Sequence, residues 1–224
     1  MVSREFAIIV AGGEGTRMQS DIPKQFLELN GLPVLMHTIN VFYNYSSDIT
    51  IILVLPKAEF DYWSTLCHEY QFDVPVILQE GGETRFHSVK NGLEKINKFG
   101  LVAIHDAVRP LVDVRIINES YKLAETSGSA IASVNLIESL RKIEENSSCS
   151  LDRTKYKMIQ TPQTFKVADI KKAYEQQYEI YFTDDASVAE KFGIKIILFD
   201  GDHRTIKITT KEDLIMAESL IKKF

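Results

Sequence analysis

The chain has 224 residues, of which 45% are hydrophobic and 25% are charged, values close to the averages of globular proteins. This composition excludes wholesale disorder and fibrous repeats, and the length is enough for one domain with a sizeable core. The net charge of −5 argues against a chain-wide basic surface for nucleic acid. The apolar runs are far shorter than the ~20 residues that a membrane span needs.

The two cysteines, Cys67 and Cys149, are far apart and belong to no CxxC motif. This spacing argues against a zinc site and against a disulfide framework. Only a short segment precedes the first apolar run, so we expect no leader peptide and a cytoplasmic location.

In the first 135 residues, short apolar segments alternate with segments of helical periodicity. Strands are predicted at 7–10, 51–55, 76–78, 101–104 and 130–134, and helices at 34–43, 58–70, 88–98 and 114–126. Strands that are apolar throughout and separated by helices are typical of a parallel sheet covered on both faces. The sequence therefore predicts the α/β class.

After residue 135 the pattern changes. Short strands are predicted at 140–143 and 156–159, separated by a polar stretch at 144–152, which is typical of a hairpin or projecting arm. Helices at 167–177 and 184–192 and strands at 194–199 and 206–209 follow. Thr210 and Asp213 predict a capping box that opens a last helix ending near residue 222. We predict one domain, 1–224, with an excursion at about 136–158.

A glycine-rich loop, AGGEGTRM, follows the first strand. Glycines let backbone amides approach a phosphate closely, and two nearby cations add positive charge. The loop is not a Walker A motif, and no acidic residue ends the second strand as a dinucleotide site requires. A simple tight turn is the alternative to a site for a nucleoside triphosphate or another anion. The candidate residues are Ala11, Gly12, Gly13, Gly15, Arg17 and Lys24.

Two further loops end at the same predicted edge of the sheet. One carries Gly81, Gly82 and Arg85, with Ser88 close behind, and the other carries Asp106. Loops at the carboxyl ends of parallel strands converge on one crevice in an open α/β sheet. At such a position, a carboxylate is suited to a metal ion or a ribose hydroxyl.

Six motifs together carry a specific resemblance. They are AGGEGTRM…PKQ, GGETRFHSVKNGL, HDAVRP, LDR…QTPQTF, TDDAS and IKIT…EDL. In order and spacing they resemble the 2-C-methyl-D-erythritol 4-phosphate cytidylyltransferase family, from about residue 6 to about residue 220. The related ribitol-5-phosphate cytidylyltransferases share the first loop and QTPQTF, whereas HDAVRP and TDDAS favour the former family.

The resemblance implies a Rossmann-like, mostly parallel sheet of the nucleotidyltransferase type with a projecting β-arm. It implies a cytidylyltransferase of the non-mevalonate route of isoprenoid synthesis, which transfers CMP from CTP to 2-C-methyl-D-erythritol 4-phosphate and requires Mg²⁺. Chemistry of this kind depends on positioning and fixed positive charge more than on covalent work by the protein.

The resemblance also assigns roles to individual positions. The catalytic cations are Arg17, Lys24, Arg153 and Lys207. Gly12, Gly82, Ser88 and Asp106 match nucleotide contacts, with Asp106 near the metal, and we add the loop residues Ala11, Gly13, Gly15, Gly81 and Arg85. The acceptor residues are Ser139, Arg153, Thr161, Thr183 and Lys207.

In the family, the arm hooks around a second subunit. The resemblance therefore implies a homodimer in which Arg153 and Ser139 complete the partner's site. One departure is Arg204, which stands where relatives commonly carry an acidic residue. Two alternatives stay open: an enzyme acting on ribitol 5-phosphate, and a nucleotide-binding sensor without turnover. A sensor would not need the cations of the acceptor phosphate.

Overall fold

A seven-stranded sheet forms the centre of the computed structural model, which describes residues 4–11 and 22–221. The strands are β1 (Glu5–Val10), β2 (Glu28–Leu29), β3 (Leu32–Pro33), β4 (Thr50–Leu55), β5 (Ile77–Glu80), β6 (Leu101–Asp106), β7 (Ser129–Asn135), β8 (Leu140–Glu144), β9 (Ser147–Leu151), β10 (Lys157–Lys166) and β11 (Leu198–Asp200). The helices are α1 (Val34–Tyr45), α2 (Phe60–Glu69), α3 (Arg85–Glu94), α4 (Val114–Ser127), α5 (Val167–Ala173), α6 (Asp185–Phe192) and α7 (Lys211–Ile221). Within these ranges, no helix combines the length and the apolar character needed to cross a membrane.

The order of the central sheet is β11-β7-β10-β6-β1-β4-β5. Among these strands β10 is the antiparallel one, because it pairs antiparallel with both β6 and β7, whereas the other pairings are parallel. Strands β1, β4 and β6 are apolar nearly throughout and almost completely buried. The predicted α/β class with a mostly parallel sheet is confirmed.

Helices cover both faces of the sheet. Successive side chains of a strand point to opposite faces, so Ala7 and Ile9 of β1 pack with residues of α1, α2 and α4. Ile8 and Val10 pack on the other side with residues of α3, α5 and α6. Both faces of the central strands are thereby removed from water, which explains why their sequences show no polar alternation.

The arm differs from its prediction in strand pairing. The predicted strand at 140–143 is present as β8, but its partner is β9, from Leu140 opposite Leu151 to Glu144 opposite Ser147, and β9 lies in the stretch that was predicted as a polar connection. The predicted strand at 156–159 is instead the start of β10, which runs on into the central sheet. β9 has the sequence SSCSL, which is poor in the β-branched and aromatic residues typical of strands. Its strand conformation depends on pairing with β8, so its composition does not predict it.

The predicted strand at 206–209 is also wrong, since the chain has no regular structure there. Ile208 is fully buried, and its amide donates to the carbonyl of Val108 at 2.9 Å. A single backbone bond to the loop after β6 therefore anchors this segment in place of a ladder. The predicted capping box is present: the Asp213 amide donates to Thr210 Oγ1, and the Thr210 amide donates to Asp213 Oδ2.

Candidate active site

The carboxyl ends of β1, β4 and β6 surround a cavity of about 550 Å³. Six of the predicted site residues line it: Ala11, Lys24, Gly82, Arg85, Asp106 and Lys207. They come from four separate parts of the chain and meet at this edge because the strands before them are parallel. Gly12, Gly13, Gly15 and Arg17, which were predicted to complete the first loop, lie outside the described residues.

A second cavity, of about 240 Å³, adjoins the first. It is lined by Thr161 and Thr183, two of the predicted acceptor residues. Arg85, Asp106 and Lys207 line both cavities, so this charged group lies between them. The arrangement provides two neighbouring compartments with cations at their boundary, as a reaction between two anionic molecules requires.

Asp106 is the centre of the charged group. Its Oδ2 lies 3.0 Å from Arg109 Nε and 3.1 Å from Lys207 Nζ, and its Oδ1 lies 3.6 Å from Arg85 Nε. Burial alone would raise the pKa of Asp106, but the three cations outweigh burial and hold the pKa well below its usual range. Asp106 is therefore ionised at every pH at which the protein is expected to work.

Arg109 was not predicted as a site residue, although it belongs to the HDAVRP motif. Its Nε donates to Asp106, and its Nη1 donates to the carbonyl of Thr205 at 2.9 Å. It thereby ties the segment that carries Lys207 to the end of β6. Arg109 follows Asp106 by three residues, and this spacing in the sequence is the signal that would have identified Arg109 as a site residue.

Lys24 is positioned by its neighbour Gln25. Lys24 begins a short 3₁₀ helix, and Gln25 is buried beneath it. Gln25 Nε2 donates to the carbonyl of Ala11 at 3.3 Å and to Glu59 Oε2 at 2.7 Å. The lysine is thus held against the end of β1 and the loop that follows β4.

The second glycine loop is fixed by Ser88. The Gly82 amide donates to Ser88 Oγ at 3.1 Å, and Thr84 caps α3 by accepting from the His87 amide. Ser88 is completely buried and holds the loop from behind. The predicted contact of Ser88 with a nucleotide stays a prediction.

Alanine at Gly82 is expected to distort this loop. A Cβ atom there would lie 2.4 Å from the Cβ of His87, closer than real Cβ atoms come, so the loop or α3 has to move. We expect Gly82→Ala to lower the free energy of unfolding by about 1–3 kcal/mol and to weaken binding of the nucleotide predicted for this loop. Gly81→Ala is the milder comparison, since its closest contact is Ser88 Oγ at 3.1 Å. Urea denaturation and calorimetric titration of both variants check this; equal effects would contradict it.

Thr161 and Thr183 enter the smaller cavity from different elements. Thr161, in β10, accepts through Oγ1 a hydrogen bond of 3.1 Å from the Asp106 amide. Its own hydroxyl hydrogen is left to donate to a ligand. Thr183 lies in the loop just before α6, with its amide donating to the carbonyl of Tyr181. Both residues line the smaller cavity, and their predicted contact with the acceptor stays a prediction.

The two arm residues are not brought to these cavities. Ser139 and Arg153 are exposed, and neither lines the two cavities among the described residues of the same chain. Arg153 follows β9, and its Nη1 donates to the carbonyl of Ile137 within the arm. Within one chain, the structure therefore unites the body residues of the predicted site but leaves the arm residues apart from them.

A capping residue of α7 holds the segment after Lys207. Asp213 Oδ2 accepts hydrogen bonds from the Thr209 amide, the Thr209 hydroxyl and the Thr210 amide, at 2.7–2.8 Å. Burial alone would raise the pKa of Asp213, but these hydrogen bonds outweigh it and hold the pKa below its ordinary value. The ionised carboxylate thus stabilises the folded chain.

Asp213→Ala is expected to lower the free energy of unfolding at pH 7 by about 2 kcal/mol, because three donors lose their acceptor. A carboxyl group with a lowered pKa contributes its stability above its ordinary pKa and loses it as the pH falls. The difference from the unsubstituted protein should therefore narrow below about pH 4. Urea denaturation at several pH values measures this. Glu212→Ala, in the same helical turn, is the control and should change stability little.

The described residues include no group of three or more His, Cys, Asp or Glu side chains that would hold a metal ion by themselves. Mg²⁺ is commonly bound by one or two carboxylates together with substrate phosphates. Asp106 fits that pattern: Oδ2 is taken by Arg109 and Lys207, whereas the 3.6 Å contact of Oδ1 with Arg85 is longer than a hydrogen bond.

Comparisons with known proteins give one consistent result. The family model for 2-C-methyl-D-erythritol 4-phosphate cytidylyltransferase matches residues 6–223. The curated enzyme of that name from Bacteroides thetaiotaomicron is 48% identical over 218 residues, which cover 97% of this chain and 100% of the relative. The enzyme from Clostridium novyi is 39% identical over 99% of this chain and 98% of its own.

Solved structures agree with these sequence matches. The 2-C-methyl-D-erythritol 4-phosphate cytidylyltransferase from Francisella tularensis has 32% identity and a TM-score of 0.80, covering 97% of this chain and 99% of the other. The 4-diphosphocytidyl-2C-methyl-D-erythritol synthase from Anaerococcus prevotii has 27% identity and a TM-score of 0.84, covering 98% and 96%. The similarity therefore extends over nearly the whole chain.

Proposed function

Because this chain belongs to the 2-C-methyl-D-erythritol 4-phosphate cytidylyltransferase family, we propose that it transfers CMP from CTP to 2-C-methyl-D-erythritol 4-phosphate in the non-mevalonate route to isoprenoid precursors. An oxygen of the acceptor phosphate attacks the α-phosphorus of CTP, and the bond to the bridging oxygen of the β-phosphate breaks. The products are 4-diphosphocytidyl-2-C-methyl-D-erythritol and pyrophosphate. The observation that carries the proposal is the pair of adjoining cavities with shared charges.

The larger cavity is suited to CTP. The loop from Gly82 to Thr84 forms one wall, and Lys24, which also lines the cavity, would offset the charge that develops on the triphosphate. Arg17, in the preceding loop, would act with Lys24 on the leaving pyrophosphate, as the family pattern implies. Fixed cations that stabilise the five-coordinate phosphorus and the leaving group are the main source of rate in such reactions.

Asp106 would hold Mg²⁺ together with phosphate oxygens of CTP. The bound ion would supply further positive charge against the triphosphate. The chain itself keeps Asp106 ionised and oriented through Arg109 and Lys207.

The smaller cavity is suited to the polyol phosphate. Thr161 and Thr183 offer hydroxyls, and Lys207, whose side chain is 41% exposed, offers a cation at the boundary with the larger cavity. These groups bring the attacking phosphate next to CTP and reduce the repulsion between two anions.

The arm supports a second proposal, a homodimer with shared sites. Arg153 and Ser139 lie on the arm, outside the cavities of their own chain, so they would act in the site of the partner. The β8–β9 hairpin is a separate two-stranded sheet, a structure that is marginally stable alone, and its Ile143 is 77% exposed. Packing against a second subunit would cover this surface. We propose that the dimer works in the cytoplasm.

Pyrophosphate release tests the reaction and its acceptor. The protein is incubated with CTP and Mg²⁺, and with either 2-C-methyl-D-erythritol 4-phosphate or ribitol 5-phosphate at equal concentration. We expect release with the former alone. Release mainly with ribitol 5-phosphate would show that the proposed acceptor is wrong, while the proposed cytidylyl transfer would stand. CTP binding without release in either reaction would favour the nucleotide-sensing alternative.

A further inference from the structure

Asp185 is a fully buried carboxylate beside the site, and the reaction as described gives it no role. It is the first residue of α6, but the cap of that helix is provided by Asp184, which accepts the Ser187 amide at 2.9 Å in a capping box. A carboxylate buried without partners is unfavourable. The contacts that Asp185 makes must therefore offset the cost of burying its charge.

The Asp185 carboxylate binds the guanidinium group of Arg85 through both of its oxygens. Asp185 Oδ1 accepts from Arg85 Nη1 at 2.9 Å, and Oδ2 accepts from Arg85 Nη2 at 2.6 Å. The hydroxyl of Tyr174 donates to Oδ1 at 2.5 Å. Both terminal nitrogens of Arg85 are thus engaged in a fork-to-fork pair, the strongest geometry for an arginine and a carboxylate.

This pairing decides what Arg85 presents to the cavities. The remaining nitrogen, Nε, faces Asp106 Oδ1 at 3.6 Å, whereas Asp106 Oδ2 makes closer contacts with Arg109 and Lys207. Asp106 thus has one oxygen that is firmly paired and one that is only loosely paired. Without Asp185, the Arg85 fork would have Asp106 as its nearest carboxylate.

We propose that Asp185 is a positioning residue, which holds the Arg85 fork away from Asp106 so that Asp106 Oδ1 stays available to the nucleotide or its metal ion. Arg85 then acts on the site through Asp106 and is not itself a ligand of CTP, in contrast to the prediction from the sequence. The inference rests on the proposed function, in which Asp106 contacts the nucleotide. It also explains why a buried ion pair links α3 and α6, 100 residues apart.

The first test is CTP binding by calorimetric titration of the full chain with Mg²⁺ and without acceptor. Asp185→Asn keeps the shape of the side chain but releases the Arg85 fork, and we expect the CTP dissociation constant to rise about tenfold. Tyr174→Phe is the matched control, because it removes a hydrogen bond from the same carboxylate and leaves the ion pair intact. Its CTP affinity should stay within about twofold of the unsubstituted protein.

The double variant Asp185→Asn/Arg85→Gln separates positioning from stability. It removes both charges of the pair, so no freed guanidinium can close on Asp106. We expect its CTP affinity to return to within about threefold of the unsubstituted protein. A role limited to stability would give no such recovery. If Asp185→Asn does not fold, the CTP affinity of the double variant alone tests the proposal. A loss of affinity above about tenfold in the double variant would show that Arg85 is a CTP ligand.

Four results would overturn the proposal: tighter CTP binding by Asp185→Asn, equal affinities of Asp185→Asn and Tyr174→Phe, a double variant no better than Asp185→Asn, or a loss of affinity above about tenfold in the double variant. None of these measurements involves turnover. Failure of the proposed function would instead appear as absence of pyrophosphate release by the unsubstituted protein, so the two failures are distinguishable.

Discussion

Replacing Lys24 with alanine is expected to reduce turnover about a thousandfold while changing CTP affinity little. Lys24 and Lys207 both line the larger cavity, so both charges would face the triphosphate that we propose to bind there. Negative charge builds on the leaving pyrophosphate only as the bond to the α-phosphorus breaks. The loss should therefore appear mainly in kcat, since the charge of Lys24 matters more in the transition state than in the bound state.

Steady-state kinetics of pyrophosphate release, together with CTP titration, measure the two effects separately. Lys122→Ala serves as the control, because this lysine is exposed on α4 and lines neither cavity. A loss of CTP affinity as large as the loss of kcat would assign Lys24 to ordinary ground-state binding and would contradict its proposed role.

Mixing Lys24→Ala with Arg153→Ala is expected to restore activity that neither variant has alone. If the arm completes the site of the partner, each mixed dimer contains one site with both substitutions and one with neither. After full subunit exchange half of the dimers are mixed, so the expected recovery is about a quarter of the unsubstituted activity. Native mass spectrometry confirms the exchange, and pyrophosphate release gives the recovery.

A second mixture controls for stabilisation by dimer formation alone. Arg153→Ala and Ser139→Ala both alter the arm, so every site of their mixed dimer lacks one arm group and no activity should return. Absence of recovery in the first mixture, with exchange confirmed, would mean that each site is built from a single chain. That result would contradict the proposed sharing of sites between subunits.

The sequence predicts most of the sheet because the strands of the first half are apolar throughout. β1, β4 and β6 carry this signal, and the glycine and proline residues around them mark their ends. It does not predict β9, whose serines depend on pairing with β8. The segment at 206–209 was mistaken for a strand because buried Ile208 imitates the alternation of a strand, although it makes one backbone bond to a loop.

The site shows a similar division. The sequence motifs place Lys24, Asp106 and Lys207 in one site, and the three residues line the same cavity because parallel strands bring their loops to one edge of the sheet. The supporting ion pair of Arg85 with Asp185 is not visible in the same way. Two successive acidic residues at the start of a helix are an ordinary capping pattern, and only the folded chain shows that the Asp185 side chain contacts a residue 100 positions earlier.

The antiparallel strand β10 divides the chain into two modules. Its neighbour β6 and the strands beyond it, with their loops, line the larger cavity, proposed above for CTP, with residues before 110 together with Lys207. The smaller cavity, proposed above for the acceptor, is lined mainly by residues after 155, and those of β10 reach the same edge because β10 runs in the opposite direction. With the sites assigned as proposed, a change of acceptor would need substitutions mainly in the later stretch of the chain. A fold of this kind can diversify by exchanging the molecule that receives the nucleotide while inheriting the donor site unchanged.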